Sequence, residues 1–259
     1  MKTEMALFAV ARLETFKRDL RARVTSQLGT ATGFFYRNAT GRLFLVTNKH
    51  VVFNKGKHYF PDRLRFYVHS DLEYLTKMKH IDLRLWSKDG KKLWKSAQYQ
   101  PIDVAALEVP ENQLTGCRYL AFSKRDMLDA DAERLPGKDI GLGLSALVLG
   151  YPLDFYDKNT LLPMAYAATV ATWPWLNFEG KPCFLVDARL HPGMSGSPVI
   201  SCAGTIRTKR DLPGTEEVAV STESYLLGVL SDERTPEGEP IGLNTVWHAS
   251  IIKEMVEDK

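Results

Sequence analysis

Residues 186–200 read Val-Asp-Ala-Arg-Leu-His-Pro-Gly-Met-Ser-Gly-Ser-Pro-Val-Ile, two apolar ends around a turn built on Gly193, Ser195 and Gly196. Glycine adopts backbone angles that other residues avoid, so such a turn can be sharp enough to expose the hydroxyl it carries. It also aims neighbouring N–H groups at one point. Donors so placed can hold the oxyanion that forms when a hydroxyl attacks a carbonyl. A serine is a weak nucleophile at neutral pH, so Ser195 calls for a base, and the base for an orienting partner.

Six histidines are available: His50, His58, His69, His80, His191 and His248. His50 closes the run Phe44-Leu45-Val46-Thr47-Asn48-Lys49-His50 and precedes Val51-Val52, so an apolar strand would hold it rigidly. Asp103 enters the apolar run Ile102–Val109. A carboxylate there is costly to bury unless something pairs with it, and a histidine N–H would suit.

Outward from these residues, short apolar or alternating stretches punctuated by Gly, Pro, Asn and Asp dominate the chain. Strands are expected at Ala6–Leu13, Thr32–Tyr36, Leu43–Thr47, Leu64–Tyr67, Ile81–Trp86 and Val104–Val109. The second half adds Ala146–Leu149, Ala167–Thr172, Cys183–Asp187, Ser197–Ser201, Tyr225–Leu230 and Gly242–Val246. Many short strands between turn signals indicate an all-β barrel or sandwich rather than βαβ units. Helices are expected around Lys124–Arg134 and at Ala249–Val256, where Ile251, Ile252 and Met255 share one face. The polar stretch Lys124–Gly143, with Pro136-Gly137, reads as a link between two β-rich halves. The division is therefore residues 1–115, a linker at 116–143, and residues 144–259.

Composition bounds the class. The chain has 259 residues, 44% hydrophobic and 25% charged, the balance of a globular protein able to bury a core. Thirty-four basic against 31 acidic side chains leave a formal charge of +3, too little to argue for nucleic acid or an anionic membrane as partner. No apolar run approaches the ~18 residues of a bilayer span. Cys117, Cys183 and Cys202 fit neither a disulfide framework nor paired zinc ligands. Free thiols and the lack of an export signal lead us to expect a cytoplasmic location. His58, His69 and His80 recur every 11 residues without ligand-like spacing, so no metal is expected.

Three motifs together resemble the trypsin-like (chymotrypsin-fold) serine peptidases, especially the bacterial HtrA-like branch. "LVTNKHVV" resembles that family's histidine motif, "IDVAALEV" its aspartate motif and "VDARLHPGMSGSPVI" its serine motif, in family order and 53 and 92 residues apart. "GTATGFFY", "VLGYP", "LLGVLS" and "IGLNTVWHASII" resemble flanking strands and the closing helix, extending the likeness from about Thr30 to Ile252. The resemblance implies two antiparallel six-stranded barrels, a short C-terminal helix, and a site between the barrels. It implies Ser195 as nucleophile, His50 as general base and Asp103 as its orienter. The N–H groups of Gly193 and Ser195 would form the oxyanion hole. It implies a protein or peptide substrate and no cofactor, with an activating partner protein as a further candidate.

The departures matter as well. Met194 stands where many secreted members carry an aspartate that pairs with a freed N-terminus, so dependence on that switch is not expected. From the chain's length, the PDZ domain of typical HtrA proteins is not expected after Lys259. Arg189, Leu190 and Ser231 are the candidates for the pocket taking the side chain before the cut bond. An inward Arg189 would suit an acidic side chain and an inward Leu190 an aliphatic one. Asp232 and Glu233 count against the acidic choice. Two rival readings exist: an α/β-hydrolase using Ser195, Asp232 and His248, and a catalytically silent or latent double barrel that binds peptides. The hydrolase lacks the alternation of strands and long helices that a parallel sheet needs.

Overall fold

The computed structural model describes residues 1–19, 24–97, 101–127, 141–202, 206–212, 215–220 and 224–257, with backbone alone for 206–220. A short helix α1 (Thr3–Ala6) leads into eight strands: β1 (Val10–Asp19), β2 (Val24–Arg37), β3 (Leu43–Thr47), β4 (Arg63–His69), β5 (Met78–Arg84), β6 (Lys95–Ser96), β7 (Ala105–Glu108) and β8 (Phe122–Ser123). One helical turn, α2 (Lys49–Val52), follows β3. The second half holds β9 (Ser145–Gly150), β10 (Met164–Val170), β11 (Cys183–Asp187), β12 (Pro198–Ser201), β13 (Ile206–Leu212), β14 (Thr215–Val220), β15 (Leu226–Glu233), β16 (Leu243–His248) and the helix α3 (Ser250–Val256).

The second half closes as a six-stranded barrel, β10-β11-β16-β15-β12-β9, beside a separate β13–β14 hairpin. The first half is one sheet in the order β5-β4-β1-β2-β3-β7-β6, with β8 paired to the end of β2. Of the expected pair of six-stranded barrels, the second half supplies one closed barrel, and among the described residues the first half is an eight-stranded curved sheet whose ends β5 and β6 are not paired with each other. The reason is local. After β5 the chain forms a tight hairpin, with Trp86 bridging Lys92 and the Leu93 N–H donating to the Leu85 C=O at 3.1 Å, before it reaches the two-residue β6. The edges β5 and β6 are thus joined by this hairpin and not by a ladder of their own.

The continuous apolar runs of the first half are explained by burial on both faces. Successive residues point to opposite sides of a strand. Phe35, Leu43, Leu45, Ala105 and Leu107 fill the hollow of the curved sheet. Their neighbours Phe34, Tyr36, Phe44, Val46 and Ala106 pack outward with Leu149, Ile200, Val229, Trp247 and the α3 residues Ile251 and Ile252. The two halves are therefore joined by a shared apolar layer. A third cluster, with Val148, Phe184, Val199 and Met194, fills the closed barrel. β8 lies within the stretch expected to be a linker, and its Phe122 sits edge-on to Phe34 (5.6 Å between centroids, 89°). Residues 128–140, which include most of the expected 124–134 helix and Pro136-Gly137, lie outside the described residues. Among the described residues no helix is long and apolar enough to cross a membrane.

Phe34 is fully buried in the layer between the halves. Phe34→Ala is expected to lower stability by about 3–5 kcal/mol in chemical denaturation, and to do so without shifting the two halves into separate transitions.

Candidate active site

His50 sits in α2, immediately after the fully buried β3. Val51 and Val52 anchor the turn in the core, and the buried Asn48 amide before it donates to the Asp103 C=O at 2.8 Å. Asp103 itself lies just before β7 and grips His50 twice. Its Oδ1 accepts the His50 backbone N–H at 2.9 Å and its Oδ2 faces His50 Nδ1 at 2.6 Å. The backbone bond fixes the carboxylate relative to the turn, so the ring contact is aimed and not merely near. That bond requires the proton on Nδ1 if the carboxylate is ionised, which leaves Nε2 of a neutral ring as an acceptor.

Burial works to lower the His50 pKa, but the hydrogen bond and charge of Asp103, with the charge of Asp232, outweigh it and leave the value raised above 6.5. Ser231, buried at the end of β15, donates its hydroxyl to Asp103 Oδ2 at 2.8 Å and also contacts Asp232 Oδ1. A hydroxyl carries one hydrogen, so it satisfies one carboxylate at a time. Of the expected pocket residues, Ser231 thus directs its polar group to Asp103, Arg189 is exposed, and Leu190 is half-buried against the barrel core.

The turn that carries Ser195 is clamped from both halves. Gly193 (φ +93°) and Gly196 (φ +86°) occupy the left-handed region, and a Cβ on Gly196 would come within 2.3 Å of the Thr32 carbonyl oxygen. The Ser195 C=O accepts the Thr32 N–H of β2 at 3.1 Å, and the Gly196 N–H donates to the Leu230 C=O of β15 at 3.0 Å. The Gly193 C=O accepts the Thr32 hydroxyl at 2.8 Å. Met194 points into the closed barrel with no exposure. Among the described residues the N–H groups of Gly193 and Ser195 have no protein acceptor, which leaves both donors of one turn available to a ligand.

His50 and Ser195 line one cleft of ≈ 240 Å³ with Ala31, Val51, Lys57 and Tyr59. The remaining histidines serve elsewhere. His191 packs edge-on against Tyr166, His69 bonds the Thr160 C=O at 2.6 Å, and His248 stacks on Phe184 with its pKa lowered to about 4 by burial. Among the described residues no three His, Cys, Asp or Glu side chains converge on a possible metal position. The three cysteines are free thiols. Sequence reasoning missed Thr32, whose only signal is its place in a strand before the His50 motif, and the role of the Ser231 hydroxyl.

If the two carboxylates raise the His50 pKa as described, Asp232→Asn should lower it and Asp103→Asn should lower it further, read by NMR titration of the imidazole. An unchanged value in Asp232→Asn would remove Asp232 from the account.

The sequence model of the trypsin-like peptidase domain matches residues 31–206, more than half of the chain. No curated protein sequence matches significantly. Among solved structures, the chain is similar to the active form of the Rv3671c protease from M. tuberculosis, with 16% identity, 97% of this chain and 80% of that chain covered, and a TM-score of 0.50. It is similar to the inactive form of Rv3671c protease at 15% identity, with 97% and 88% covered and a TM-score of 0.50. The HtrA-type protease AlgW with a tripeptide matches at 15% identity, 97% and 60% covered, and a TM-score of 0.51. These likenesses show the fold; the domain match, over a stretch that holds His50, Asp103 and Ser195, shows that the chain belongs to the trypsin-like peptidase family.

Proposed function

We propose that the protein is a serine endopeptidase working through Ser195, His50 and Asp103. The observation that carries this reading is the double contact of Asp103 with His50, beside a cleft that His50 shares with Ser195. His50 Nε2 takes the Ser195 proton as the hydroxyl oxygen adds to the substrate carbonyl carbon. The carbonyl becomes an oxyanion, held by the Gly193 and Ser195 N–H groups. Collapse of this adduct breaks the C–N bond, and His50 returns its proton to the leaving amine. Water, deprotonated by the same ring, then hydrolyses the acyl-enzyme and regenerates the hydroxyl. Asp103 keeps its charge throughout and stabilises the imidazolium that forms twice.

Substrate passes between the two halves, residues 1–115 and 144–259 in this proposal, since each contributes part of the site. The exposed Arg189 favours no acidic pocket, and Leu190 against the barrel core fits an apolar one. Free thiols, two of them buried, support a reducing compartment and thus the cytoplasm.

A fluorophosphonate probe is expected to label the wild type and neither Ser195→Ala nor His50→Ala. Absence of labelling in a folded wild type would overturn an active peptidase and leave a latent or peptide-binding form. Because the base must be neutral and its pKa is raised, kcat/KM should fall as the pH drops through a value above 6.5. Asp103→Asn should cut kcat by about 10⁴-fold at neutral pH.

A further inference from the structure

Arg12 on β1 is a buried cation that the triad does not use: its side chain is 5% exposed. Its guanidinium grips Asp154 with two bonds, Nε to Oδ1 at 2.6 Å and Nη2 to Oδ2 at 2.9 Å. Nη1 donates to Glu14 at 2.8 Å, and Glu14 in turn accepts the Tyr67 hydroxyl at 2.7 Å. The rings of Tyr67 and Tyr156 lie 5.3 and 4.9 Å from the guanidinium carbon. Burial opposes the charge of Arg12, but the bonds from Asp154 and Glu14 overcome it and hold the group protonated.

Asp154 belongs to an unusual turn after β9. Leu153 (φ +50°) and Asp154 (φ +58°) both occupy the left-handed region, where non-glycine residues are strained. Two such neighbours persist only if something outside the turn holds them, and the Arg12 fork is such a hold. The turn abuts the Ser195 loop. Leu153 N–H donates to the Pro192 C=O at 2.6 Å, and a Cβ on Gly193 would come within 2.5 Å of the Tyr151 C=O and 3.3 Å of the Leu153 nitrogen. Arg12 is also the cross-strand partner of Thr32, the residue that bonds Gly193 and Ser195.

We propose that Arg12 is a positioning residue whose grip on Asp154 holds the 151–154 turn against Pro192 and Gly193 and so fixes the aim of the two oxyanion donors. This rests on the peptidase reading for its catalytic consequence but not for the lock itself. A loop displaced by about 1 Å far from the chemistry can cost on the order of 100-fold in rate.

The test compares Arg12→Met, Arg12→Lys and Asp154→Asn in the whole chain by peptidase kinetics and by amide hydrogen exchange. Expected in Arg12→Met is a drop in kcat of about 10- to 100-fold with KM within about twofold, and an unmoved pH limb, since His50 and Asp103 stay paired. Arg12→Lys, with charge but no fork, should recover part of the loss. Exchange at the Leu153 and Met194 amides should rise in Arg12→Met and Asp154→Asn whether or not the protein is active. If Arg12→Met fails to fold, the half-exposed Asp154→Asn carries both readouts. A wild type that does not react with faster exchange in the variants would sink the peptidase and keep the lock. Unchanged exchange and kcat in folded variants would overturn the lock.

Discussion

Thr32 is the residue through which the two halves of the molecule agree on one geometry. It is wholly buried and uses every polar atom it has. Its N–H holds the Ser195 carbonyl, its hydroxyl donates to the Gly193 carbonyl while accepting the Tyr151 N–H at 3.1 Å, and its carbonyl accepts the Thr47 hydroxyl at 2.8 Å. Three of these bonds, to Ser195, Gly193 and Tyr151, cross from the curved sheet to the second half, the fourth ties β2 to β3, and all sit where water cannot compete. Leaving any one of them unmade would cost more than the bond itself is worth, because a buried partner would be stranded. The close approach they require explains three glycines. A Cβ on Gly150, Gly193 or Gly196 would lie under 3 Å from Thr32, Tyr151, Ser197 or Thr47 atoms.

How legible this was in the sequence depended on how each residue earns its place. β3 and β11 were readable to the residue, Leu43–Thr47 and Cys183–Asp187, since nearly every position there is buried and apolar. β1 was misjudged at both ends. Residues 6–9 are apolar enough for a strand but lie in helical turns, while Glu14–Asp19 are mostly polar yet remain in the strand because they pair with Val24–Thr30 in a long arm. β10 begins three residues earlier than apolarity suggested, at Met164, with Ala165 and Ala167 facing solvent. Two-residue strands such as β6 and β8 carry no periodicity to detect. His50, Asp103 and Ser195 could be singled out because the proposed chemistry restricts the residue type at each position. Thr32, Ser231 and Arg12 work through their neighbours, and nothing in one-dimensional spacing marks them.

The site's electrostatics are asymmetric in a way that assigns roles. At one end, two carboxylates, Asp103 and Asp232, lie on either side of one Ser231 hydroxyl, and both favour the protonated form of His50. In the proposed reaction, a positive charge on the ring would therefore be met by charge already in place, with no reorganisation at the moment it is needed. At the other end the Gly193 and Ser195 N–H groups have no protein acceptor among the described residues, and in the proposed reaction they would meet negative charge on a substrate oxygen in the same manner. In the proposed reaction the imidazolium is met by Asp103 from the first half and Asp232 from the second, and the oxyanion by the Ser195 loop of the second half.

Because His50 and Asp103 lie in one half and the Ser195 loop in the other, the relation between the halves would be a catalytic variable in the proposed reaction, which calls for anchors on both sides of the loop. Met194 fixes the turn from within the barrel by apolar burial, which is non-directional and cannot alone set the orientation of two peptide N–H groups. Directional contacts are required for that, and they come from the curved sheet: Thr32 on the turn itself and Arg12 through Asp154. An ion pair fits the second task because a guanidinium fork constrains both distance and angle of a carboxylate. Its burial among Tyr67, Tyr156 and Glu14 supplies the partners without which a cation there would destabilise the fold. An uncharged substitute of equal volume would fill the space as well but would leave the strained Leu153–Asp154 turn free to relax, so the polar pair is better understood as a specification of geometry than as a source of stability.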